Sequence, residues 1–455
     1  GDVYKRQMQD ITIKNFRCYE EKNMEFRRGV NLLIGDNSVG KTSLLHACNL
    51  VVNAFFSGYS DENTVWKSAD DNDFRETGVA ELPIEIIFHP NEQDYPIIQT
   101  QSGNNYSLDP NVELKIEKKS KKNSRNLTTG LKPLRDYATV CNHSSHILQE
   151  DKSILQVNVL PVYACFTTED IHSVRKFDKN KFNKYNHKPS FGYFECYDCR
   201  GLFECWIKRL LVLKGAQKGE EEINSVRNAI IDALGPTGCN IINDMDIRHN
   251  EGKVYFKFVD GRESESALLS DGYRRLVNIV MDIAFRCALL NKSMFGAQCY
   301  KHTHGTVIID EIDEHLHPAL QVRVLKALQD TFPKIQFIIS THAPLVMSSV
   351  EPRKDENGND INVVYRLEYA DGIYSHKELK PYGLDANLIL EEMSLVDSRV
   401  PEIADRIGKI KDLISEKLLD QASSEISLLE EETDPNQPVL VRLRAIINRL
   451  EALGK

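Results

Sequence analysis

The chain has 455 residues, beyond one compact domain, and its 41% hydrophobic and 8% aromatic content is ample for a large core. A formal net charge of −10 argues against non-specific coating of nucleic acid, which needs clustered cations. No run of about 18 apolar residues supplies a membrane helix or a secretory signal, so a cytoplasmic location is expected, and the 10 scattered cysteines fit reduced thiols better than a disulfide framework.

Residues 1–7 read as a non-native leader before Met8. Val30 to Ile34 is a short apolar run, expected as a buried strand. It leads directly into Gly35, Asp36, Asn37, Ser38, Val39, Gly40, Lys41, Thr42 and Ser43, and then into an apolar stretch from Leu44, which predicts strand, glycine-rich loop and helix. Residues 81–118 alternate as in an antiparallel sheet, followed by a Lys-rich stretch to 130 and a less regular part to 150. Sheet-like 154–166 precedes an insertion at 167–262 with a basic loop, helices in 201–234 and a hairpin over 240–260 turning at Asn250-Glu251-Gly252. No heptads are sustained there, so the insertion is expected to be compact.

Downstream, Leu276, Ile279, Val280, Ile283 and Cys287 recur at helical spacing behind Ser270, which reads as an N-cap. Thr306 to Ile309 is an apolar run ending in Asp310 and Glu311, and Ile335 to Ile339 ends in Ser340-Thr341-His342. The tail from Pro401 to Leu453 carries three amphipathic pieces broken near Asp420 and Asp434, with Ile403, Ile407, Ile410, Leu413 and Ile414 on one face, to dock on the rest of the chain or receive a partner. The expected domains are 8–166 and 263–395 as two lobes, 167–262 as the insertion and 396–455 as a helical tail.

Glycines let backbone N–H groups turn inward around phosphates. The same loop offers Lys41 to the β- and γ-phosphates and the Thr42 hydroxyl to Mg²⁺, so ATP and Mg²⁺ are the expected cofactors. Asp310 would hold the Mg²⁺ shell, Glu311 would polarise the attacking water, and His342 would sense the γ-phosphate, since ligands of open α/β sheets gather at strand carboxyl ends. A hydroxyl and a free glycine amide at Ser270 and Gly272 also suit an anion, although spacing alone favours a plain cap.

The sequence LSDGY at 269–273 is similar to the signature of ABC-type ATPases, with Asp271 and Tyr273 in place of the commoner Gly and Gln. The resemblance implies a head-to-tail homodimer in which Ser270 and Gly272 complete the other subunit's ATP site. Ile11 to Cys18 resembles the first strand motif of the SMC/RecF-like branch, where Arg17 would contact nucleotide. The run from Glu311 through His315, Leu316, His317 and Pro318 resembles the D-loop of OLD-like and AAA15-type ATPases, which puts Asp313 at the dimer seam. The expected fold is therefore α/β: an ABC-type ATPase head with a mixed sheet around the P-loop, an antiparallel β subdomain, a helical insertion and a helical tail.

Beyond His342 no acidic triad of a self-contained nuclease is present. With Leu160 to Phe166 and Tyr382-Gly383, the motifs most resemble the PtuA-like ATPases of Septu and retron-associated anti-phage systems. That family implies a separate HNH nuclease partner and, for some members, a reverse transcriptase with its RNA–DNA hybrid. A RecF-like repair ATPase binding DNA directly is the alternative. Two basic patches could serve nucleic acid: Lys118, Lys119, Lys121, Lys122 and Arg125, and then Arg175, Lys176, Lys179, Lys181, Lys184 and Lys188 interleaved with aromatics. Cys196, Cys199 and Cys205 with His187 form an incomplete zinc pattern.

Overall fold

The computed structural model describes residues 8–76, 82–90, 95–100, 102–121, 129–148, 154–168, 188–389, 401–434 and 437–452. They fall into two compact units, Gly1–Leu384 and Asp385–Lys455. In the first, the strands that build the site and its flanks are β1 (Asp10–Phe16), β2 (Tyr19–Glu25), β3 (Val30–Ile34), β4 (Ile84–His89), β5 (Leu114–Lys118), β6 (Val162–Phe166), β7 (Ile242–Arg248), β8 (Lys253–Phe258), β9 (Glu263–Glu265), β10 (Gly305–Ile309), β11 (Ile335–Ser340), β12 (Val363–Ala370) and β13 (Ile373–Leu379). The helices used below are α1 (Lys41–Asn53), α2 (Lys132–Ser144), α3 (Phe203–Gly215), α4 (Glu220–Leu234) and α5 (Asp271–Phe295).

The central sheet has the order β6-β10-β11-β3-β12-β13. Its first five strands are parallel and β13 is antiparallel to β12. Every residue of β3, β6, β10 and β11 is buried. Parallel strands covered on both faces read as continuous apolar runs, which is why these four were visible in the sequence. Because β11 lies between β10 and β3, with Ile309 opposite Ile339 and Leu33 opposite Ser340, three carboxyl ends meet side by side.

A second sheet, β2-β1-β4-β5, is antiparallel throughout. Its alternating burial along β4 and β5 is the signature of a sheet with one covered face. The expected irregular stretch up to residue 150 is instead largely helix α2, which buries Leu134, Tyr137, Ala138 and Cys141. That spacing is helical, but Thr139, Val140 and Asn142 are weak helix formers, so packing outweighs propensity. The insertion supplies α3, α4 and the hairpin β7-β8, with Gly252 at positive φ in the expected turn, and β9 just beyond it adds a third strand to that small sheet.

The tail corrects an expectation. Its three helices, Pro401–Ser415, Leu419–Glu432 and Pro438–Ala452, bury Ile407, Ile410, Ala422, Ile426, Leu429, Leu440, Leu443 and Ile447 against one another, and Ile403, Leu413 and Ile414 pack on the same cluster. The stripe of Ile403, Ile407, Ile410, Leu413 and Ile414 is covered within the tail, because each helix has an amphipathic face that two neighbours can cover, while Leu428 and Val441 stay exposed. Ile410→Ala is expected to destabilise this unit by about 2–5 kcal/mol. Amide exchange should accelerate across the tail helices while β3, β10 and β11 exchange as before.

Candidate functional site

The loop after β3 turns because three residues take left-handed backbone: Gly35 at φ 143, Ser38 at φ 71 and Gly40 at φ 92. Gly40 is required on space as well, since a Cβ there would lie 2.4 Å from the Tyr19 hydroxyl, which donates to the Gly40 carbonyl at 2.9 Å. Tyr19, missed in the sequence, thus buttresses the loop from behind. Asp36, Asn37 and Ser38 are exposed, Val39 is buried as the anchor, and Ser43 is half-buried in the first turn of α1. Lys41 Nζ donates to the carbonyls of Gly35 at 2.6 Å and Asp36 at 2.8 Å. Burial lowers its pKa, opposed by Asp310 and Glu311. An ammonium resting on its own loop can exchange those carbonyls for phosphate oxygens.

At the neighbouring strand ends, Thr42 Oγ1 donates to Asp310 Oδ2 at 3.1 Å. The Ser340 hydroxyl donates to the other Asp310 oxygen and accepts the Glu311 amide at 2.8 Å. A hydroxyl and a carboxylate in contact beside an exposed phosphate-type loop are hard oxygen donors of the kind Mg²⁺ takes together with substrate phosphates. Thr42 and Asp310 fit that ion.

Glu311 has φ 50, in the left-handed region unusual for a non-glycine residue. Burial and then Asp310 raise its pKa, while His342 lowers it. His342 Nε2 lies 3.9 Å from Glu311 Oε1. Asp313 accepts the Thr341 hydroxyl and, at 3.3 Å, the His342 amide. The residue expected at a dimer seam therefore also fixes the turn carrying His342.

Ser270 occupies the N-cap position of α5 with extended backbone, but its side chain makes no capping hydrogen bond and is exposed. This departs from the plain cap favoured by spacing. Gly272 is buried, and a Cβ on it would sit 2.4 Å from the His315 carbonyl, so the helix start presses directly on the acidic loop. One turn on, Arg275 donates to the carbonyls of Asp310 and Glu311, both at 2.9 Å, and to Glu314 Oε2 at 2.8 Å. Arg275 escaped the sequence reading, although its i+3 position from Gly272 puts it on the same helix face.

Arg17, with φ 49, is held by Asp73: its Nε donates to Oδ1 at 2.8 Å and its amide to the Asp73 carbonyl at 2.8 Å. Against burial, which would raise it, His46 and Arg17 keep the Asp73 carboxyl down at about 2. His317 is a helix cap, accepting the Ala319 amide on Nδ1 at 3.2 Å.

The first basic patch is corrected at Lys118, which is buried and pairs with Asp71 at 2.7 Å. In the second, Lys188 pairs with Glu62 at 2.6 Å. Lys122, Arg125, Arg175, Lys176, Lys179, Lys181 and Lys184, and His187 of the zinc pattern, lie outside the described residues. Cys196, Cys199 and Cys205 are buried. Burial pushes Cys196 and Cys205 up to about 12, and the Arg286 guanidinium stands 3.5 Å from the Cys199 sulfur. Among the described residues no three His, Cys, Asp or Glu side chains are grouped to hold a metal.

The chain is 35% identical over 152 residues to "Retron Vc95 probable ATPase" of Vibrio cholerae serotype O1 biovar El Tor, covering 33% of this chain and 28% of that protein. It is 37% identical over 126 residues to "Septu protein PtuA" of Bacillus mycoides (strain KBAB4), covering 28% and 16%. The aligned segments thus span less than a third of either relative. Among solved structures, the SmcHead bound to the C-winged helix domain of ScpA overlays 82% of this chain and 98% of that one with a TM-score of 0.44 at 15% identity. Residues 7–347, which include the phosphate loop, the α5 start and all three strand ends, match the AAA_15 family, the AAA ATPase domain. With three quarters of its length inside that match, the chain belongs to the AAA_15 family of ATPase domains.

Proposed function

We propose that the protein hydrolyses ATP at a site completed by a second copy, and that the resulting open and closed dimers control a separate HNH-type nuclease in anti-phage defence. The observation that carries the ATPase reading is the meeting of Thr42, Asp310, Glu311 and His342 at adjacent strand ends beside the phosphate loop. Lys41 and the loop amides of Asp36 to Ser43 would bind the phosphates. Mg²⁺, held by Thr42 and Asp310, would neutralise charge developing on the phosphoryl group. Glu311 orients the attacking water, and His342 moves from Glu311 to the γ-phosphate.

The outward-facing Ser270 hydroxyl supports the composite site, because a helix start with an unused hydroxyl and amides is an anion receptor in need of a ligand from elsewhere. Arg17, tied to Asp73 at the edge of β1, would flank the nucleotide. The defence reading draws on the retron and Septu names of the similar proteins and on the PtuA-like motifs. A reverse transcriptase with an RNA–DNA hybrid is a further partner in that setting.

A direct DNA-repair role is favoured by short matches to repair proteins, among them 31% identity over 90 residues, 20% of this chain and 22% of that protein, to "DNA replication and repair protein RecF" of Agathobacter rectalis. The two readings separate in one experiment on the purified chain. Control of a nuclease predicts ATP hydrolysis indifferent to gapped DNA and stable co-purification with a co-expressed HNH protein from the same gene cluster. Salt-sensitive DNA binding that stimulates hydrolysis, with no retained nuclease, would overturn it in favour of repair.

A further inference from the structure

The acidic loop 310–315 is gripped from two sides. On one, Ser340 and Thr341 at the end of β11 hold the Asp310 and Asp313 carboxylates and the Glu311 amide. On the other stands α5: Gly272 is flush against the His315 carbonyl, and the buried Arg275 binds the backbone of Asp310 and Glu311 and the side chain of Glu314. The contact is selective. A guanidinium offers a rigid fork of donors, and here one of its nitrogens, Nη2, donates to two consecutive carbonyls. Those carbonyls flank the Glu311 Cα, a non-glycine residue held at φ 50. Arg275 therefore holds the backbone on both sides of Glu311 and stabilises its left-handed conformation.

Arg275 is also five residues from Ser270 on the same short rigid segment of helix. Any shift of the helix start is transmitted to the Glu311 backbone through these bonds and through the Gly272 contact, which has no slack. We propose that Arg275 is a positioning residue that couples engagement of the Ser270 end of α5 to the orientation of Glu311, so that a subunit's water-orienting carboxylate is set by what its own signature turn is touching. In the composite dimer, each Glu311 then answers to the nucleotide bound by the other copy, which makes hydrolysis at the two sites interdependent. This rests on the ATPase reading above and adds to it the route by which the two sites communicate.

The test compares Arg275→Gln and Arg275→Lys in the full chain. Gln can serve one carbonyl and carries no charge for Glu314, whereas Lys keeps donors for the carbonyls and its charge. A group misplaced by about 1 Å can cost ~10²-fold in rate, so Arg275→Gln is expected to lower kcat by ~10–100-fold with KM and melting temperature near the wild type. Arg275→Lys should recover most of kcat. In a Glu311→Gln background Arg275→Gln should add no further loss, because it acts only through Glu311. A kcat unchanged by Arg275→Gln, or a loss of KM, stability and kcat together with no recovery in Arg275→Lys, overturns the coupling.

Amide exchange over residues 310–316 gives a readout independent of turnover. ATP should slow it in the wild type and leave it unaltered in Arg275→Gln, and equal slowing in both overturns the proposal. A wild-type protein that binds ATP without hydrolysing it would instead defeat the ATPase reading, and the exchange data would still decide the linkage.

Discussion

Glu311→Gln is expected to bind ATP as the wild type does, to hydrolyse it about 10²–10⁴-fold more slowly, and to accumulate as a dimer in ATP. The choice among the loop's carboxylates follows from their partners. Asp310 is taken by Thr42 and Ser340, Asp313 by Thr341 and His342, and Glu314 by Arg275. Among the described residues, the Glu311 carboxylate is paired only with the His342 ring, at 3.9 Å and beyond hydrogen-bond reach, which leaves its oxygens available to a water. The substitution keeps shape, and the Ser340 bond to the Glu311 amide is backbone and survives. Sedimentation with ATP, with ADP and without nucleotide measures closure, and a single-turnover assay measures chemistry. Wild-type turnover in this variant would remove Glu311 from the mechanism. Slow turnover without a dimer would keep its chemistry and remove the composite site.

What could be read in advance divides along a physical line. β3, β10 and β11 were legible because strands buried on both faces must be apolar throughout, and the adjacency of the residues after them follows from those strands being parallel neighbours. Helix α2 was missed because its apolar positions sit among weak helix formers, so only the tertiary partner makes the helix worthwhile. The antiparallel pair β12 and β13 raised no expectation, since β13 alternates weakly at an exposed edge. Tyr19 and Arg275 were invisible for another reason. Their partners are backbone carbonyls of Gly40, Asp310 and Glu311, whose directions depend on left-handed φ angles that no residue pattern displays. The tail was legible as helices but not as its own core, because an amphipathic stripe does not specify which surface will cover it.

Ser270→Arg should retain ATP binding and lose turnover by about 10³-fold, as when a preorganised phosphate-facing donor is removed. Ser270 is exposed and its hydroxyl caps nothing, so the fold should tolerate the substitution within about 0.5 kcal/mol. Lys41→Ala should fail in the opposite way, by losing the ammonium that the loop carbonyls hold at 2.6 and 2.8 Å. Two dead proteins then make a sharper test than either alone. In a symmetric head-to-tail dimer, a mixed pair contains one pocket with an intact Lys41 from the Ser270→Arg copy and an intact Ser270 from the Lys41→Ala copy. Equal mixing makes half the dimers mixed, each with one good pocket of two, so about a quarter of the wild-type number of composite pockets should re-form and occlude ATP, with turnover there reduced to the extent that its Glu311 depends on the Ser270 end its own copy lacks. Residues acting in trans allow such complementation, whereas residues acting within one chain forbid it. A mixture that, like its components, neither hydrolyses nor occludes ATP, with both variants folded, would place Ser270 outside the partner's pocket and reduce the exposed turn to an ordinary helix start.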